Sequence, residues 1–102
     1  MYLVVFRSRK RADMDGAAYA ADAVAMEAAA AAMPGYLSFK GYVAADGQTV
    51  AISEWADQAA ARGWGRHEEH RRVQARGRED YYDGYTLFAA GDVRIHRFGR
   101  QD

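Results

Sequence analysis

The chain has 102 residues, with 14 basic and 14 acidic side chains that cancel, no cysteine and a hydrophobic fraction of 50%. The charge balance removes any whole-chain field that would draw in nucleic acid or an anionic membrane. The lack of cysteine excludes disulfides, thiolate metal sites and a cysteine nucleophile, and it fits a reducing compartment. Of the apolar residues 22 are alanine, which buries little area at roughly 25 cal/mol per Å². A small chain with so few large aliphatics gains the rest of its burial by oligomerising, so a homodimer is expected.

The opening apolar run, Leu3 to Phe6, has arginines after it rather than before it, the reverse of a signal peptide. No strongly apolar stretch approaches the ~20 residues that span a bilayer. The expectation is one soluble, cytoplasmic domain over residues 1–102, with neither a membrane nor a nucleic acid as partner.

Tyr2 to Ser8 is rich in β-branched and aromatic residues and reads as a strand. Its two faces, Leu3, Val5 and Arg7 against Tyr2, Val4, Phe6 and Ser8, are both mostly apolar, as in a central strand. Asp15 to Met33 switches to helix formers, with an apolar stripe of Tyr19, Ala23, Met26, Ala30 and Met33. Asp13 or Asp15 caps its start, and Pro34-Gly35 stops it. Small residues over 28–32 let this helix lie close on a sheet. Tyr36–Val43 and Thr49–Trp55 are two strands joined by a turn at Asp46-Gly47.

After Asp57 a short helix runs through Ala59, Ala60 and Ala61 toward Trp64, weakened by Gly63 and Gly65. A second helical piece covers Glu68 to Tyr82. A last strand covers Thr86 to Phe98, with a bulge at Gly91-Asp92, and carries His96. Strand, helix, strand, strand, helix, strand folds as an α+β, ferredoxin-like βαββαβ unit. It makes an antiparallel four-stranded sheet with its helices on one face. The other face also carries apolar side chains, and two sheets meeting face to face as a dimeric α/β barrel would cover it.

Chemistry-bearing residues are densest over Trp64, Arg66, His67, Glu68, Glu69 and His70, followed by Gln74, Arg78, Tyr81, Tyr82 and Tyr85. His67 and His70 share a helical face, but the HExxH spacing is absent and no third ligand is placed nearby, so no metal is expected. A histidine among aromatic rings suits proton transfer from a phenol or hydroquinone, because it titrates near neutral pH. The alternative is packing: His70, Val73, Gly77 and Tyr81 form one stripe that can face the sheet. Glu68 and Glu69 can pair with Arg72 on a solvated face, with Arg78 the candidate to turn inward toward an anionic group. Arg7 and Glu54 interrupt apolar strands, so each sits at a strand end or lines a wet cavity. There is no phosphate loop, GxSxG elbow, Ser/His/Asp order or Rossmann fingerprint.

Met33-Pro34-Gly35-Tyr36-Leu37, Asp46-Gly47, Ser53-Glu54-Trp55, Trp64 through His70 and the continuation from Gln74 to Tyr85 resemble the antibiotic biosynthesis monooxygenase family. The resemblance runs from the first strand to Phe98. It implies a dimeric α+β barrel with a pocket between sheet and helices in each subunit. Some members oxidise polycyclic phenols or hydroquinones with molecular oxygen and without metal or flavin, and others degrade haem. The haem-degrading members are matched at Trp64, their pocket tryptophan. Their haem-ligating histidine falls at Gln74, a poor iron ligand, and their first-strand asparagine near Arg7 or Ser8.

The expected function is therefore cofactor-independent oxidation of an aromatic or quinol-type molecule, with no cofactor. His67 or His70 would be the proton acceptor, and Trp64, Tyr82, Arg7 and Arg78 would bind substrate. A non-catalytic dimeric small-molecule-binding or accessory protein is the alternative, and haem binding the third reading.

Overall fold

In the computed structural model, which describes residues 1–100, the β-branched start of the chain forms strand β1 (Tyr2–Lys10). It pairs antiparallel with β3 (Thr49–Trp55) on one side and with β4 (Tyr82–Ala90) on the other. The hairpin partner β2 (Tyr36–Val43) completes one sheet in the order β2-β3-β1-β4. The fold is α+β and ferredoxin-like, with β1 and β3 in the centre.

Helix α1 (Gly16–Ala31) is capped by Asp15, whose carboxylate accepts the Ala18 N–H at 3.1 Å. It packs on β2, while α2 (Gln58–Arg66) packs on β1 and β3, and α3 (Glu68–Arg76) lies against α1 and α2. Even-numbered residues of β1 face this helical layer, so Tyr2 and Val4 join a core built on Ala30, Trp55 and Trp64. Odd-numbered residues face the other way. On that outer face Leu37, Tyr42 and Phe88 are each about half exposed.

The C-terminal third differs from the sequence expectation at two places. The helix expected over Glu68–Tyr82 ends at Arg76 and passes into a π-helical turn, Gly77–Tyr81. The Tyr82 ring packs on Gly77, where an added Cβ would stand 2.6 Å from a ring carbon, so the chain widens there and enters β4 at once. The last strand is thus Tyr82–Ala90 rather than Thr86–Phe98. It starts early because β1 extends to Lys10, the partner of Tyr82, and it stops because Ala90 pairs with Leu3, near the beginning of β1. Gly91-Asp92 is a bend that ends the strand, with Asp92 at φ 52°, and His96 lies in a segment without regular structure. Among the described residues no helix is long and apolar enough to cross a membrane.

Gly35 ends the α1 turn at φ +81°, and a Cβ there would lie 2.5 Å from that of Ala60. Left-handed backbone costs an ordinary residue roughly 1–2 kcal/mol and overpacking adds a similar amount. Gly35→Ala is expected to lower stability by about 2–4 kcal/mol in urea unfolding. Gly41→Ala, which meets nothing within 4 Å, should stay within about 0.5 kcal/mol.

Candidate functional site

Strand β3 ends on Trp55, fully buried, and the Asp57 cap then starts α2 by accepting the Ala60 N–H at 2.8 Å. One face of this short helix brings Trp64 down onto Trp55, with ring centroids 6.2 Å apart and the planes near parallel. The Trp55 indole N–H donates to the Ser53 hydroxyl at 3.0 Å, which satisfies it inside the core. At His67 the backbone becomes extended and the helix breaks. α3 then folds back so that the His70 ring lies over Trp64 at 4.6 Å, with 4° between the planes. Trp55, Trp64 and His70 form one continuous stack.

The two histidines differ in what their nitrogens do. His70 Nδ1 stands 3.0 Å from the Trp64 carbonyl oxygen, an atom that can only accept, so Nδ1 carries the proton and Nε2 keeps its lone pair. His67 Nδ1 instead accepts the Glu69 N–H at 3.1 Å as the cap of α3, so its neutral ring carries the proton on Nε2. Of these two rings, His70 is the one whose basic nitrogen is unspent by the fold. Burial pushes its pKa below the ordinary 6.5, the Trp64 carbonyl opposes that shift, and nearby His67 adds to it. Burial thus favours the neutral imidazole.

Tyr82 stands at the far end of the helical layer, where β4 begins. Its ring meets Phe6 edge-on at 5.4 Å and lies 6.2 Å from Tyr85, and burial raises its pKa, with Tyr19 adding to the shift. Ser8, buried in the register row between Thr49 and Tyr85, has no hydrogen-bond partner for its hydroxyl among the described residues. Tyr85 and Leu87, on the helical side of β4, are 43% and 50% exposed, so this side of the layer opens along that strand.

The structure thus brings Trp64, His67 and His70 together and sets Tyr82 further along the same layer. The other two sequence candidates lie elsewhere. Arg7 projects from the outer face, with its guanidinium 5.5 Å from the Phe88 ring centre, and borders an open depression of about 330 Å³ at the end of the sheet that Ser8, Tyr85, Arg9, Gln48 and Thr86 also line. Arg78 is exposed on the π turn and borders an open depression of about 500 Å³ with Arg66, Arg71 and Gln74. Glu54 is half-buried and accepts from the Ser38 hydroxyl. Among the described residues no three His, Cys, Asp or Glu side chains gather as metal ligands.

Sequence reasoning missed Asp22, the buried acid of α1. Its carboxylate accepts from the Tyr81 hydroxyl at 2.5 Å and from Arg72 at 2.9 Å, and Arg76 lies 3.6 Å away. Arg72 thereby turns to Asp22 and Glu69 rather than to Glu68. The Tyr81 hydrogen bond, together with the two arginines, holds the Asp22 pKa below the ordinary 3.8 despite burial. Burial and that carboxylate raise the Tyr81 hydroxyl to about 12. The signal was its spacing: Asp22 follows Tyr19 by three and precedes Met26 by four, inside the apolar stripe.

The sequence profile of a family described as antibiotic biosynthesis monooxygenase matches residues 1–76. No curated protein matches the chain. Solved structures share the fold at low identity. Rv0793 from Mycobacterium tuberculosis has 20% identity and a TM-score of 0.81, covering 94% of this chain and 98% of that one. SnoaB, a cofactor-independent oxygenase from Streptomyces nogalater, has 19% identity and a TM-score of 0.70, covering 90% and 94%. PA3566 from Pseudomonas aeruginosa has 17% identity and a TM-score of 0.72, covering 96% and 94%.

The depressed pKa values of His70 and Asp22 act on stability with the same sign. Between the lowered folded value of His70 and its ordinary 6.5, the unfolded chain binds more protons, so stability present above 6.5 is lost as pH falls through that window. Asp22 repeats this below 3.8. Urea-unfolding midpoints are expected to fall in two steps on acidification, with His70→Phe removing the upper step and sparing the lower. An upper step that persists in His70→Phe would contradict the assignment.

Proposed function

We propose, because the chain belongs to the antibiotic biosynthesis monooxygenase family, that it is a cofactor-independent monooxygenase acting on an aromatic or quinol-type small molecule. The observation that carries this reading is His70: a neutral imidazole stacked on Trp64, with Nδ1 tied to a backbone carbonyl and Nε2 unspent. Such a ring is oriented, partly desolvated and ready to take a proton.

In the proposed reaction the substrate hydroxyl gives its proton to Nε2, and the electron-rich phenolate reduces molecular oxygen. One oxygen atom enters the ring as a quinone carbonyl and the other leaves as water, so a phenol and O₂ yield a quinone and H₂O. The substrate supplies all the electrons, and the protein positions and deprotonates it. The flat substrate enters along β4, past Tyr85 and Leu87. Tyr82 is its aromatic wall, while Trp64, covered on both ring faces, holds the His70 imidazole in place. Arg7 and Arg78, which face away from this layer, and His67, spent as a helix cap, are left out of the site.

One observation favours a second reading. Trp55 is fully buried and Trp64 is 4% exposed, so the two rings fill the space under the stack. A binding or accessory protein without turnover would need no more room than that, and activity measurements separate the two. Neither reading draws on haem: Gln74, which takes the place of the haem-degrading members' histidine, is exposed on α3. In both readings the protein works in the cytoplasm as a homodimer. A second copy covers the outer face built on Leu3, Val5, Val50, Ile52 and Phe88.

His70→Gln is expected to lower the rate of dihydroxynaphthalene oxidation, followed by oxygen uptake, by roughly 10²–10⁴-fold. His67→Ala should keep that rate and cost about 1 kcal/mol of stability as a lost cap. Undiminished turnover in His70→Gln would remove the base, and no turnover in the wild type would leave the accessory reading. Separately, Ile52→Asp should convert the dimer to single chains in sedimentation equilibrium.

A further inference from the structure

Helix α1 has 10 alanines among its 16 residues. Small side chains allow close approach, but they form shallow ridges, and ridges in grooves are what fix one helix along another. Packing alone therefore registers α3 on α1 weakly. Across this smooth contact three donors from α3 and the turn after it converge on one carboxylate. Tyr81 donates at 2.5 Å and Arg72 at 2.9 Å, and Arg76 stands at 3.6 Å from Asp22, which is only 7% exposed. Arg72 also grips Glu69 at 2.7 Å, so the clamp holds the residues on both sides of His70.

Asp22 is buried but Arg72 and Arg76 are nearly half-exposed, so these ion pairs add little stability of their own, and their directed contacts bear on which arrangement is held. The clamped elements carry the two ends of the proposed aromatic site. His70 is on α3, and Tyr82 follows Tyr81 directly, with its ring seated on Gly77.

We propose that Asp22 is a positioning residue. Through Tyr81 and Arg72 it sets α3 and the π turn against α1, and so fixes the His70 ring on Trp64 and the Tyr82 ring at the far end of the site, without touching a ligand. This rests on the reading of His70 and Tyr82 as site residues, but its structural half can be read without any ligand.

The test uses Asp22→Asn and the gentler Tyr81→Phe, which deletes a single hydroxyl, with Gly47→Ala, at φ +89° in the turn between β2 and β3, as a control strained away from the helical layer. The ring nitrogens of His70 are titrated by NMR in the folded proteins, and dihydroxynaphthalene affinity is read from quenching of tryptophan fluorescence. In the clamp variants the His70 midpoint is expected to rise toward the ordinary 6.5, because a loosened α3 lets water reach the ring. Affinity should fall about tenfold, or 1.4 kcal/mol. Gly47→Ala should lower the melting temperature and leave both readouts in place.

An unmoved His70 midpoint in Tyr81→Phe overturns the proposal, as does an equal movement in Gly47→Ala. If Asp22→Asn does not fold, Tyr81→Phe decides alone. If the wild type binds no dihydroxynaphthalene, the aromatic-substrate reading fails, while the His70 titration still decides whether Asp22 positions the ring.

Discussion

Strand β1 is paired along both edges and apolar on both faces, and the rest of the molecule is arranged around that constraint. Pairing with β3 and β4 satisfies its backbone groups, which leaves no edge at the centre of the sheet. Its even-numbered side chains need a helical layer, and the alanine-rich α1, together with α2, provides one. Its odd-numbered side chains lie on the face opposite the helical layer, which is why a partner copy enters the proposed function. The division of labour between the faces follows from it: Tyr2, Val4, Phe6 and Ser8 look toward the aromatic layer, and Arg7 looks away.

The helical layer solves a second problem, the shortage of large aliphatic side chains. Aromatic rings take their place. Trp55, Trp64 and His70 stack at one end, while Phe6, Tyr19, Tyr81 and Tyr82 meet mostly edge-on at the other. Rings bury much area per residue, and their geometry is directional, so they support the fold and offer flat walls with the same atoms. This dual use explains how a packed stack can also be a candidate site. His70 belongs to both: burial makes it neutral and the Trp64 carbonyl orients it, and those are the properties a proton acceptor requires.

Polar groups inside this layer are few and almost all satisfied. Asp22 gathers Tyr81 and two arginines, and Ser53 takes the Trp55 N–H. The Ser8 hydroxyl is the exception among the described residues, and an unmet buried hydroxyl costs roughly 1–3 kcal/mol.

Element order, the two-sided apolar first strand, the Asp15 and Asp57 caps and the Pro34-Gly35 stop were all legible in the sequence, because they depend on local preference and spacing. So was the gathering of Trp64, His67 and His70, which are close neighbours along the chain. What the linear pattern could not decide depended on contacts between distant residues. Helix propensity carried the last helix through to Tyr82, but the fit of that ring on Gly77 turned the chain into a π turn. Strand propensity continued to Phe98, but the pairing with β1 ends at Leu3 and Ala90, one residue from the start of that strand. Asp22 read as a polar break in an alanine run until Tyr81 and Arg72, some fifty residues later and more, were folded against it. The roles of the two histidines were likewise set by which backbone group each ring nitrogen meets, so only the tertiary structure could separate a helix cap from a base.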